Sequence, residues 1–142
     1  MTDRAGILAL LARYTRCADR LPAAPPWSDC FAERAVLTSF SPRRDRPPTV
    51  LMGCAVIAEA FGSATPSRIT THVVANVVVE YDPHGAAVQS TFVRFDHLNE
   101  TTVTVGSFGE YLDRAVLCTD GLWRLSEREI HLVSRRRPTP AV

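Results

Sequence analysis

Tyr14, Asp19 and His72 are the residues of this chain best suited to chemistry. Each is a polar group in an apolar setting. An imidazole titrates near neutrality and can both take and return a proton. A carboxylate bonded to one imidazole nitrogen sets the tautomer and stabilises the imidazolium that forms. A phenol can donate to a developing oxyanion or to a leaving group. Gathered in one pocket, the three would form a proton-transfer device that needs no cofactor. Singly, each also fits a structural role: a satisfied strand histidine, a surface carboxylate beside Arg16 or Arg20, and a core tyrosine.

Asp19 is predicted at the end of a helix, where the dipole disfavours a carboxylate. Another role would have to compensate for that placement. Tyr14 lies on the apolar stripe of the same helix. Residues five apart on a helix differ by well over a right angle, so Tyr14 and Asp19 would flank a pocket from different sides. Arg128, late in the chain, is a candidate to hold an anionic leaving group, or else to pair with a carboxylate. Asp96 and His97 end a predicted strand and could reach a pocket mouth, though both are also ordinary turn residues. Gly106 and Gly109 have the wrong spacing for a phosphate loop, and the chain contains neither a Gly-x-Ser-x-Gly elbow nor a His-Glu-x-x-His site.

The elements that must position these groups follow from periodicity. A helix is predicted over residues 3–20, where Ile7, Leu10, Leu11, Tyr14, Cys17, Ala18 and, just beyond, Leu21 fall at helical spacing, with Thr2 or Asp3 as cap and Pro22, Pro25 and Pro26 beyond the end. A short second helix is predicted from Pro26 through Trp27, Cys30 and Phe31. A strand is predicted over Ala35–Phe40, a solvated loop over Ser41–Pro48, a short strand over Thr49–Met52, and a helix over Gly53–Phe61 with Val56, Ile57, Ala60 and Phe61 inward. The period then changes to two. Strands are predicted over Ile69–Tyr81, Ala86–Phe95, Thr101–Cys118 and Leu122–Val133, separated by turn residues. Strict alternation puts His72, Val74, Asn76 and Val78 on one face. Helices followed by antiparallel strands make an α+β fold, with the helices on one face of a curved sheet and a cone-shaped pocket between them. One domain over residues 1–134 and a frayed tail over 135–142, with its Arg135-Arg136-Arg137 run, complete the expectation.

Composition narrows the function. With 142 residues and 46% hydrophobic content, the chain can build one sizeable core. A net charge of +1 gives no global attraction to nucleic acid or an acidic membrane. All sixteen basic residues are arginine, which excludes a lysine Schiff base and lysine-anchored pyridoxal phosphate. The four cysteines have no metal or redox spacing and read as reduced core thiols. No metal and no cofactor are expected. Lacking a signal peptide or an apolar run of membrane length, the chain is expected to be cytoplasmic.

One family shares this pattern. The order is Arg13-Tyr14 and Asp19 on a first helix, then Trp27 and Phe31, then a Gly53 helix. His72-Val73-Val74-Ala75-Asn76 follows on a strand, and Gly109-Glu110-Tyr111-Leu112-Asp113 leads to Gly121 through Arg128. Over about residues 4–133 this resembles the SnoaL-like domain of the nuclear transport factor 2-like superfamily. The resemblance implies a cone-shaped α+β barrel, usually a homodimer through its sheet, and cofactor-free lyase, isomerase or cyclase chemistry. It implies a base at His72, an orienting carboxylate at Asp19 and an assisting arginine at Arg128. Tyr14 stands where the dehydrochlorinase of the family has lysine and the bile acid dehydratase has tyrosine, which points to an oxygenated substrate. The second histidine of scytalone dehydratase is matched, loosely, to His97. Trp27, Asn76 and His97 are the expected substrate contacts. The expected activity is a dehydratase acting on a hydroxylated cyclic or polyketide-like small molecule. A cyclase or isomerase and a non-catalytic binding subunit are the alternatives.

Overall fold

The computed structural model describes residues 2–43, 45–63 and 69–133. Residues 135–142, expected as a frayed tail, lie outside that set. Helix α1 (Arg4–Ala18) starts at Asp3, whose carboxylate accepts the Gly6 N–H at 2.8 Å and the Trp123 indole N–H at 2.8 Å. This ties the helix start to the last strand. Ile7, Leu10, Leu11, Tyr14 and Cys17 are its buried face, as the spacing predicts. The helix closes on Asp19, followed by Arg20 in the left-handed region (φ 53°), where the backbone reverses.

The short helix expected from Pro26 is only a single 3-10 turn, Trp27–Asp29. The chain is already extended at Phe31, where β1 (Phe31–Phe40) begins. Cys30 N–H bonds back to Trp27, while the Cys30 carbonyl accepts from Leu125 on the last strand. Pairing with the sheet thus overrides the local helical signal. Strand β2 (Thr49–Met52) precedes α2 (Cys54–Ser63). In α2, Ile57 is fully buried and Phe61 partly so, whereas Val56 is exposed and Ala60 also faces outward. A short helix resting at a sheet edge buries a narrow line of residues, not the wider stripe predicted.

Strands β3 (Ile69–Asp82), β4 (Gly85–His97), β5 (Val103–Leu117) and β6 (Trp123–Leu132) complete a six-stranded sheet in the order β2-β1-β6-β5-β4-β3. All pairings are antiparallel except β1 with β6, which is parallel. That pair joins the first long strand to the last, and no tight turn links them to impose an antiparallel direction. Register shifts interrupt four of the ladders, at Phe31/Val36, Ala75/Val78, Arg94/Phe95 and Arg114/Ala115. An extra residue bends a strand and increases its twist, so the sheet curves without closing. Helix α1 packs against β3 and β6 on the concave side. The core between them holds Ile7, Leu10, Tyr14, Phe31, Phe92, Tyr111 and Leu125.

Candidate functional site

Asp19 and His72 meet where the end of α1 crosses β3. The Asp19 carboxylate accepts the backbone N–H of His72 at 3.1 and 2.9 Å, one bond to each oxygen. It also accepts the Thr70 hydroxyl at 3.2 Å. His72 Nδ1 lies 2.5 Å from Asp19 Oδ1. These bonds to the charged form offset the unfavourable helix end. A carboxylate only accepts, so Nδ1 carries a proton, and in the neutral ring the lone pair is on Nε2.

His72 lines a cavity of about 420 Å³ together with Tyr14, Cys17, Ala18, Arg20, Trp27, Phe61, Gly62, Thr70 and Arg94. It also borders a smaller recess of about 230 Å³ between α1 and β3. A larger open hollow, about 980 Å³, lies between the 3-10 turn, β1 and α2 and shares Trp27 with the first. Among the described residues its only charged lining groups are Glu33 and Arg124, with no carboxylate–imidazole pair. The acid–base groups converge on the 420 Å³ cavity.

Tyr14 reaches that cavity from the buried face of α1. Its ring makes edge contacts with Trp27, Phe31 and Tyr111 at centroid distances of 5.5, 6.0 and 5.7 Å. Burial pushes the Tyr14 phenol above its ordinary pKa, opposed by the Arg128 guanidinium beside it. The group is therefore a proton donor, not a phenolate. Trp27 stacks on Phe61 at 4.9 Å and forms another wall.

Arg128 is not on the wall of the cavity. Its side chain is fully buried, with the guanidinium 3.9 Å from the Tyr14 ring centroid and 3.8 Å from that of Tyr111. It donates two bonds to Asp113, at 2.8 and 2.7 Å. Burial alone would favour loss of its proton, but the Asp113 carboxylate outweighs this and Arg128 stays charged. An arginine fully shielded in this way touches Tyr14 and reaches no substrate directly.

Two expected substrate contacts lie elsewhere. Asn76 is exposed, with φ 54°, in the β3 bulge between Ala75 and Val78. The bulge ends the alternation that begins at His72 and Val74. Beyond it Val77, Val79 and Tyr81 face inward, while Val78 is exposed. His97 bonds the Thr71 hydroxyl at 2.8 Å, and Thr71 is on the face of β3 opposite to His72. The residue paired in register with His72 is Arg94, not His97. Sequence reasoning missed Arg94. The only signal for it is its alternation with Phe92 and Asp96 on one face of a predicted strand.

Thiol chemistry is poorly supported. Cys17 and Cys30 lie 3.8 Å apart, and burial pushes both thiols up, away from the nucleophilic thiolate. Among the described residues, no group of His, Cys, Asp and Glu side chains is arranged to hold a metal. No helix of the described residues is long and apolar enough to cross a membrane.

No curated protein matches this sequence. Solved structures do. A nuclear transport factor 2-like protein with a cystatin-like fold, from Novosphingobium aromaticivorans, superposes with a TM-score of 0.76 at 20% identity, over 94% of this chain and 84% of that one. ActVI-ORFA of Streptomyces coelicolor gives 0.72 at 16% identity, over 91% and 94%. A proposed scytalone dehydratase, also from N. aromaticivorans, gives 0.65 at 19% identity, over 92% and 83%. The sequence model of the SnoaL-like domain matches residues 1–129. With the match covering residues 1–129, the chain belongs to the SnoaL-like domain family, and its fold is that of the nuclear transport factor 2-like neighbour.

Proposed function

We propose that this protein is a cofactor-independent dehydratase acting on a hydroxylated cyclic or polyketide-like small molecule. The reading rests on one observation: His72 is bonded through Nδ1 to Asp19 and lines the same cavity as the Tyr14 phenol. In the proposed step His72 Nε2 removes a proton from carbon alpha to a carbonyl or conjugated system. Asp19 stabilises the imidazolium. Tyr14 donates a hydrogen bond to the enolate-like oxygen while the His72 imidazolium returns its proton to the departing hydroxyl, or Tyr14 itself protonates that hydroxyl and is reprotonated from His72. Either way the hydroxyl leaves as water and both groups return to their starting state. Arg128, packed on the Tyr14 ring, positions that residue and favours negative charge near it. The likeness to a proposed scytalone dehydratase supports the reaction class.

The test is incubation with hydroxylated cyclic ketones and polyphenols, followed by mass spectrometry. A product lighter by one water is expected. A product of unchanged mass would replace dehydration with cyclisation or isomerisation. Asp19→Asn is expected to slow turnover by about 10²-fold or more, since general acid–base catalysis contributes about 10²–10⁴. Ligand binding without turnover, unaffected by Asp19→Asn, would make this a binding subunit.

A homodimer through the sheet belongs to the same proposal. Ile69, Val73, Val103, Val105 and Phe108 are exposed on the convex face of β3 and β5, and a contiguous apolar patch of this kind marks a contact surface. Sedimentation should give twice the 15.6 kDa chain mass, and Phe108→Arg should shift it toward monomer. A wild-type monomer at high concentration would rule the dimer out.

A further inference from the structure

The cavity carries an arginine that the acid–base scheme leaves unused. Arg94 on β4 stands opposite His72 on β3, and both side chains line the 420 Å³ cavity. Asp96, next along the same face of β4, is 4% exposed and accepts Arg94 Nε at 2.9 Å and Nη2 at 3.4 Å. Space for that carboxylate comes from β5. Its bulge places Gly106 there, and a Cβ at this position would overlap the Asp96 carboxylate. Asp96 thus holds one edge of the guanidinium, in space that Gly106 on the neighbouring strand leaves open. Nη1 makes no hydrogen bond among the described residues.

The charges on this wall are one-sided. Arg20 lines the same cavity, anchored to the Phe61 carbonyl at 2.7 Å. None of the described residues lining the cavity is acidic. Asp19 is turned to the backbone and ring of His72, and Asp96 is covered beside Arg94. A half-buried guanidinium clamped on one edge is preorganised to hold an anionic oxygen with the other.

Building on the acid–base reading, the geometry points to Arg94 as the residue that binds an anionic oxygen group of the substrate. The substrate class is then a hydroxylated ring acid, with its carboxylate on Arg94 and its acidic C–H toward His72. Arg94 selects and orients; His72 does the proton transfer.

Binding of benzoate, salicylate and cyclohexanecarboxylate is compared with that of their methyl esters by calorimetry and NMR titration. The wild-type protein is expected to bind the acids about tenfold tighter or more, as for a charge-assisted bond. Arg94→Gln should abolish the preference, Arg94→Lys should keep part of it, and His72→Asn should keep all of it. The inference is overturned if acids bind no better than esters, including no detectable binding of either, or if the preference survives Arg94→Gln. The wild-type comparison decides even if Arg94→Gln fails to fold. Lost preference with His72-dependent turnover removes this inference alone. Preference without such turnover removes the dehydratase reading and leaves an acid-binding site.

Discussion

His72→Ala is expected to reduce turnover by about 10²–10⁴-fold, the usual share of a positioned general base, and to leave the protein folded. The fold survives because much of what holds Asp19 is not the imidazole. The backbone N–H of residue 72 and the Thr70 hydroxyl bond the carboxylate at 2.9–3.2 Å and remain in the variant. The ring itself lies at a cavity wall, so its loss enlarges an existing space. Kinetics with an identified substrate, beside a thermal melt of both proteins, separate chemistry from stability. Turnover that persists undiminished in a folded His72→Ala protein would sink the proposed mechanism.

The largest loss of stability is expected from Asp113→Ala, about 3–5 kcal/mol, because it strands a buried cation. Arg128 and Asp113 have fully buried side chains and pair through two short parallel bonds. The faces of Arg128 are closed by Tyr14 and Tyr111, so no solvent reaches the charge once its partner is gone. For a domain of this size the melting temperature should fall on the order of 10 °C. Replacing both partners, as Asp113→Leu with Arg128→Met, should restore much of that loss, because a hydrophobic pair carries no desolvation cost. Calorimetry on the single and double variants measures both effects. An unchanged melting temperature in Asp113→Ala would mean that solvent reaches the guanidinium after all.

Much of the fold was legible because its elements have strong periods. The buried face of α1 follows from 3.6-residue spacing, and β3 to β6 follow from alternation between clear turn signals. The errors fall where tertiary pairing competes with a weak local signal. Cys30 and Phe31 read as helix after Pro26, yet backbone bonds to the last strand draw this segment into the sheet. Val56 and Ala60 read as core, yet α2 has only a narrow line of contact. Asn76 and His97 read as pocket residues under strict alternation and loose matching, and neither lies at the cavity.

Residue types and spacing alone determined the α+β class with its long strands, the exclusion of lysine chemistry and the candidacy of Tyr14, Asp19 and His72. Each is a local property of composition or period. The tertiary structure decided what faces what. A straight ladder run back from the Asp82–Gly85 turn would set His72 opposite Phe95. The bulge at Asn76 shifts the register by one residue and sets it opposite Arg94. A one-residue slip exchanges the faces of a strand, so the cavity gains a guanidinium beside its imidazole. The bulge goes with the curvature of the sheet around α1, a property of the whole packed assembly that strict alternation does not encode.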